Sequence, residues 1–250
     1  MLPSTSPPDT GSLRDAPDIG CLLAAARRLA GTLPAARARL GVVPGRHRVD
    51  RERAWTLRTR LAEHGVDSEE LSAIPEGGEP GGPPRGRPGP AVGLLVHAGA
   101  SRPEPAMRAA AMWQVPLLLA SPDGPAVGRP GTAGEQRRDV IGIHLADRSF
   151  DIALREVRLL SLRADPGRAR LILDNEKITT PGGRPLRVRV TGQGLLEVCG
   201  DTFGTRRVRR LRLERAWGAH RLDMDGTSTR EVRTPLRLGV EPGRLHLLHP

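Results

Sequence analysis

A chain of 250 residues and 26.9 kDa is long enough to bury a sizeable core and to form two domains. Its hydrophobic share of 38%, before glycine is added, excludes wholesale disorder, but that share is almost wholly aliphatic. With Trp 3, Phe 2 and Tyr 0, aromatic cages and base-stacking platforms are disfavoured, and Cys21 and Cys199 alone make neither a disulfide framework nor a four-thiolate zinc site.

No apolar run approaches the ~18 residues of a membrane-spanning helix. The net charge of +11 comes from 39 basic residues, of which only Lys177 is a lysine. So strong an arginine bias points first to GC-rich coding DNA. The charge is uneven: residues 151–250 hold 20 basic and 12 acidic residues, and residues 1–150 hold 19 and 16. A basic C-terminal half can meet phosphates or anionic headgroups, though a solvated face is the simpler reading.

Residues 1–37 read as a disordered leader and a short helix. The first 18 are rich in Pro, Ser and Asp, and the helical stretch Cys21 to Leu29 follows. It is no secretory signal, because Asp15 and Asp18 precede it and Arg27 and Arg28 interrupt it. Leu40 to Val43 reads as a brief strand running into Pro44-Gly45. Arg51 to Glu63 reads as an amphipathic helix with Trp55, Leu57, Leu61 and Ala62 apolar and His64-Gly65 as its stop. Between Pro75 and Pro90, 12 of 16 residues are Gly or Pro, an excursion with no core of its own.

Ala91 to Val96 has the continuous apolar character of a buried parallel strand, Pro105 to Trp113 reads as a short helix, and Val115 to Ala120 as another buried strand. Strand, helix, strand is the signature of an α/β layer. Ser121 to Gly134 is a second loose stretch. From about Asp139 the period changes to two, most clearly in Leu186-Arg187-Val188-Arg189-Val190, with turn signals at Asp165-Pro166-Gly167, Pro181-Gly182-Gly183 and Asp225-Gly226. This half reads as antiparallel β, with Leu186, Val188, Val190, Leu236, Leu238 and Leu247 inward and Arg187, Arg189 and Arg237 outward. It also holds a weak internal echo: Val157 to Val188 resembles Val208 to Leu238, about 50 residues later. A similar hairpin used twice in one sandwich accounts for it.

The final 30 residues carry the most specific signal. Leu222-Asp223-Met224-Asp225-Gly226, then Thr234-Pro235-Leu236-Arg237-Leu238, then Glu241-Pro242-Gly243-Arg244-Leu245 to Pro250 resembles the end of the diacylglycerol kinase-like lipid kinases. Those chains close with an Asp-Gly-Glu strand end, a Pro-Leu strand and a Pro-Gly hairpin. Upstream, Gly194 to Val198 is similar to the family's Asp-Asp-Gly-Leu-Leu-Asp-Val segment, and Ala169 to Glu176 to its earlier Asp-Gly-Glu turn. Val96-His97-Ala98-Gly99-Ala100-Ser101-Arg102 falls where the family's glycine-rich nucleotide loop follows its strand. Pro122-Asp123-Gly124 matches its Pro-x-Gly-Thr turn, and Pro44-Gly45-Arg46 its opening Asn-Pro-x-Ser-Gly loop.

The resemblance implies a small N-terminal parallel α/β domain followed by an antiparallel β-sandwich. Residues 38–135 would be a degenerate nucleotide-binding-like domain carrying the excursion at 75–90, and residues 136–250 the sandwich. It also implies a nucleotide cleft lined by Pro44, Gly45, Arg46, His97, Gly99, Ser101, Arg102, Asp123 and Gly124. The departures concern charge. Ala100 and Arg102 stand where the loop aspartate and threonine belong, Pro125 replaces a threonine, Gly192 and Gln193 replace two aspartates, and Thr227 replaces the proposed base. Scaffold residues survive while the charged chemistry is missing, which implies a fold kept without its reaction and with no catalytic or metal-binding residue assigned.

Each candidate has a plainer reading. Glycines after strands make turns, His97 at a strand end is more simply a structural histidine than a base, and Asp174-Asn175-Glu176 and Asp223-x-Asp225 lie at turns that Asp and Asn favour. Trp55 and Trp113 are expected in the core. An arginine face including Arg187, Arg189, Arg207 and Arg210 is the candidate anionic surface. It lacks interleaved aromatics, which favours an anionic membrane over nucleic acid. The expectation is therefore a cytoplasmic, peripherally membrane-associated pseudoenzyme of lipid-kinase type. It binds a ligand or partner in its former nucleotide cleft, and no cofactor is assigned to it. The alternatives are an active lipid kinase using ATP and Mg²⁺ with unusual residues, and a basic nucleic-acid-binding module.

Overall fold

A computed structural model describes residues 19–45, 47–71, 91–99, 102–119, 134–162, 168–181, 183–214 and 219–250. The leader, the excursion at 75–90, and Arg46, Ala100, Ser101, Asp123, Gly124 and Pro125 lie outside the described residues. Strands dominate, in two sheets of ten and six strands, with three α-helices among the described residues.

Helix α1 (Ile19–Ala30) leads to strand β1 (Arg39–Val43) and helix α2 (Arg48–Glu63). Helix α2 starts in a capping box between His47 and Asp50, and Gly65 follows it at φ +71°, a backbone shape that glycine takes without strain. Its buried residues are Asp50, Ala54, Leu57 and Leu61, one stripe at helical spacing. Trp55 is not in the core: it is 65% exposed. One residue past Ala54 is about 100° around the helix, which turns the indole out of the stripe. Trp113, by contrast, is buried.

A short strand, β2 (Ser68–Glu70), pairs parallel to β1; Arg39 holds Glu69 and the preceding Asp67, and Arg58 holds Glu70. Strand β3 (Val92–His97) lies parallel on the other side of β1, and after helix α3 (Glu104–Trp113) strand β4 (Leu117–Leu119) is parallel to β3. One core joins α1 and α2 to one face of these strands through Leu22, Leu57, Leu61, Leu94 and Val96. A second core joins α3 to the other face through Met107, Ala110, Trp113, Leu95 and Leu117.

The remaining strands are β5 (Gly134–His144), β6 (Phe150–Ala153), β7 (Glu156–Ser161), β8 (Arg168–Leu173), β9 (Glu176–Pro181), β10 (Leu186–Thr191) and β11 (Leu195–Gly200). They continue as β12 (Gly204–Val208), β13 (Arg210–Glu214), β14 (Ala219–Met224), β15 (Ser228–Arg233) and β16 (Leu236–His249). The larger sheet runs β2-β1-β3-β4-β16-β13-β8-β9, with β5 and β6 branching from β16; the smaller runs β12-β11-β10-β7-β14-β15. The two pack face to face through Ile141, Ile143, Leu171 and Leu238 on one side and Val157, Val188, Val198 and Leu222 on the other. Leu186, Val188, Leu236, Leu238 and Leu247 are buried, but Val190 is only half-buried. It neighbours Thr191 at the strand end, away from the centre of the core.

Strand β16 is 14 residues long and joins the two halves. It is antiparallel to β5 and β13, bulges between Glu241 and Leu245, and ends parallel to β4 through Leu247 and Leu248. One sheet therefore runs unbroken from the N-terminal strands into the antiparallel region.

The internal echo is a structural duplication with exchange. Leu159 of β7 lies between Leu186 of β10 and Leu222 of β14; Leu213 of β13 lies between Leu236 of β16 and Leu171 of β8. Each half thus lends its hairpin, β8–β9 or β14–β15, to the other half's sheet. The hydrogen bonds repeat as well. Asp225 N donates to Glu156 O as Asp174 N does to Arg210 O, and Val190 N donates to Arg155 O as Val240 N does to Arg209 O.

Candidate functional site

Strands β1 and β3 end in register, Val43 beside His97, and Ala98 N donates to Val43 O at 3.3 Å. This brings the segment after β3 against the entry to α2, an arrangement that in parallel sheets gathers loops into a cleft. Helix N-termini carry unpaired N–H groups and attract anions. Here the chain supplies its own. Asp50 is 1% exposed, its Oδ2 accepts from His47 N at 3.2 Å, and a Cβ placed on Gly99 would lie 3.1 Å from Asp50 Oδ1 and 3.2 Å from Gly45 N. The glycine lets the two loops close on the buried carboxylate.

Around it, Arg53 Nε donates to Ala98 O at 3.1 Å. His97 is 5% exposed. Burial lowers its pKa from the usual 6.5, Arg53 pushes the same way, and Asp50 and Glu104 pull against them. The ring is neutral at pH 7. Glu104, in the first turn of α3, has a buried Oε2 with no hydrogen-bond partner among the described residues. Pro44 and Gly45 are half-buried, Gly99 is buried and Arg102 is exposed. The structure thus gathers Gly45, His97 and Gly99 from the sequence-derived set, and adds Asp50, Arg53 and Glu104. In the sequence Asp50 stands directly before the helix expected from Arg51, which the structure starts at Arg48; nothing in the sequence marked the other two.

The turn carboxylates serve the backbone. Asp225 accepts from Leu154 N and Arg155 N at 2.7 Å each and from Glu156 N at 3.0 Å. Its counterpart Asp174 accepts from Arg209 N at 3.1 Å and Arg210 N at 3.0 Å. Both sit at positive φ, +56° and +53°, where Asp is better tolerated than most residues. Thr227 and Gly192 are exposed, as is Gln193. Among the described residues no group of three or more His, Cys, Asp or Glu is placed to hold a metal ion, and no helix is long and apolar enough to cross a membrane.

The arginines divide between the sheets. Arg187, Arg189 and Arg207 lie on the smaller sheet and Arg210 on the larger one. Arg187 is half-buried rather than exposed, because it lies over Glu156: Arg158, Arg187 and Arg189 reach that carboxylate at 2.5, 2.7 and 2.6 Å. Burial alone would raise the Glu156 pKa, but hydrogen bonds from Arg189 and Arg158 outweigh it and hold the group below the ordinary value. Compared with known proteins, the chain matches no family model and no curated protein.

Proposed function

We propose that this chain is a diacylglycerol kinase-like scaffold that does not transfer phosphate. Residues 38–135 descend from an α/β nucleotide-binding domain and 136–250 from its β-sandwich partner. The observation that carries the reading is Asp50, whose buried carboxylate lies at the N-terminus of α2 against Gly99 and Gly45. A phosphate brought to that helix end meets a carboxylate already seated there, accepting from His47 N and enclosed by Gly99 and Gly45, so the space and the donor it would need are taken. The residues do not suit Mg²⁺–ATP either: Asp174 and Asp225 are committed to backbone N–H groups, and Gly192 and Gln193 offer no carboxylate. What the cleft retains is a neutral His97 and a Glu104 Oε2 with no hydrogen-bond partner among the described residues, acceptor chemistry suited to a small ligand bearing hydroxyl or amine donors.

Two measurements test this together. With radiolabelled ATP, Mg²⁺ and diacylglycerol, sphingoid base or phosphatidylglycerol in mixed micelles, turnover stays below about 0.1 s⁻¹, a tenth of the low end for protein kinases. In thermal-shift assays ATP and ADP, with and without Mg²⁺, leave the melting temperature unchanged, whereas a ligand at 100 times its Kd would add about 2.7 kcal/mol. Turnover above that rate, or stabilisation by Mg²⁺–ATP, overturns the proposal and restores the active-kinase alternative.

A further inference from the structure

The duplication supplies an internal comparison of two outer sheet faces. On the smaller sheet, Arg158 lies directly opposite Arg187, a like-charge cross-strand pair that destabilises a sheet unless an anion joins it. Glu156 joins it, and Asp223 lies opposite Arg158 on the next strand. On the larger sheet the equivalent pair is Arg212 opposite Arg237. The position equivalent to Glu156 is Arg210, and the one equivalent to Asp223 is Ile172. The same guanidinium pair is kept while both of its carboxylates are exchanged, one for a further cation.

The neighbouring strands extend the pattern. Lys177, Ile172, Arg212, Arg237 and His144 form one continuous cross-strand row on β9, β8, β13, β16 and β5. At ~4.8 Å per strand the row is about 19 Å wide. Arg170 and Arg210 lie on the same outer face in the adjoining rows. Glu214 is the one carboxylate among the paired outward positions of β8, β9 and β13, and it is shared by Arg170 at 3.8 Å and Arg212 at 2.8 Å. Lys177, Arg210 and Arg237 are exposed and make no ion pair among the described residues.

We propose that this outer face of the larger sheet docks the protein on an anionic lipid surface, with headgroup phosphates supplying the negative charge that Glu156 and Asp223 supply on the opposite sheet. The cations spread over two dimensions of an open sheet, as a plane of headgroups requires. Nucleic acid bound on a sheet is held by aromatic side chains that stack on bases. The row offers only Phe150 at its far end, beyond His144, and that ring already lies under Arg244 at 4.8 Å. The proposal does not depend on the kinase-like reading, and either can fail without the other.

The test is co-sedimentation of the full chain with phosphatidylglycerol–phosphatidylcholine vesicles against pure phosphatidylcholine, from low salt to 1 M. Binding occurs only with the anionic vesicles and falls steeply as screening shortens to ~3 Å at 1 M. Arg210→Glu restores a carboxylate at the position of Glu156 and weakens binding roughly thirtyfold. Arg207→Glu, the same charge change on the other sheet, weakens it less than about threefold, since that face lies away from the membrane and the change acts only through net charge. Arg237→Gln serves as a second, milder probe, with a loss of roughly fivefold expected. Equal losses for Arg210→Glu and Arg207→Glu overturn the assignment of the face. So does vesicle binding that is absent at low salt, including the case where a duplex or single-stranded oligonucleotide binds and is lost with Arg210→Glu.

Discussion

Replacing Asp225 is the most informative perturbation of the fold, because its carboxylate joins two segments 70 residues apart. Three backbone donors converge on it, from Leu154, Arg155 and Glu156. Leu154 is buried, so its N–H has no easy recourse to water, and losing a charged acceptor there costs about 2 kcal/mol. The other two donors, on the exposed Arg155 and the half-buried Glu156, contribute about 0.5 kcal/mol each. Alanine also pays for the +56° φ that aspartate and asparagine tolerate, about 1 kcal/mol. Asp225→Ala should therefore cost about 4 kcal/mol, Asp225→Gly about 3, because glycine restores the backbone but not the acceptor, and Asp225→Asn about 1 to 2. Asp174→Ala, which frees two exposed donors, should cost about 2 kcal/mol. Urea unfolding followed by circular dichroism reads all four. If Asp225→Ala proves no more costly than Asp225→Asn, or lies within about 0.5 kcal/mol of the parent, the carboxylate does not hold the turn and the argument fails.

Helix α3 is tied to the antiparallel region by the ion pair of Arg108 with Asp151, the latter 5% exposed. Arg108→Met should cost about 3 kcal/mol by stranding the buried carboxylate, and adding Asp151→Leu should recover most of it; a denaturation double-mutant cycle measures both. Stability should also fall in mild acid. Because burial depresses the pKa of His97 below 6.5, its contribution is complete above pH 6.5 and is lost as pH drops toward the folded-state value. His249 is shifted the same way by burial and Arg138, so melting temperatures taken from pH 7 to pH 5 should decline, and His97→Gln should remove part of that slope, not all of it.

Alternation made the buried faces of β10 and β16 legible, since period-two patterns place leucine and valine inward whatever the topology. The echo was legible too, though by sequence offset it matched Val157 to Val208, whereas the strand registers equate Leu159 with Leu213. The link from first to second strand is longer in the first half, 12 residues from Leu159 to Leu171 against 9 from Leu213 to Leu222, and only hydrogen-bond register shows it. Trp55 misled because composition says that tryptophan belongs inside, while the angular position one residue past Ala54 says otherwise. The arginine face misled for a related reason. Which sheet each strand joins is a long-range property, and the hairpin exchange puts Arg210 back to back with Arg187 and not beside it. Asp50 was hidden by its ordinariness, as an aspartate directly before a helix expected from Arg51 signals a cap before anything else.

The path of β16 sets a schedule for folding on the ribosome. The edge of β4 is covered by Leu247 and Leu248, which are synthesised about 130 residues after Leu117. At ~5–20 residues per second that edge stays open for roughly 6 to 26 s. Throughout that interval this strand of three leucines, paired with β3 on one side, keeps one edge of unpaired backbone groups, the template that promotes strand addition between nascent chains. The N-terminal strands therefore cannot mature first and wait. Translation slowed between α3 and β16 should increase aggregation, and a chaperone that shields strand edges should relieve it.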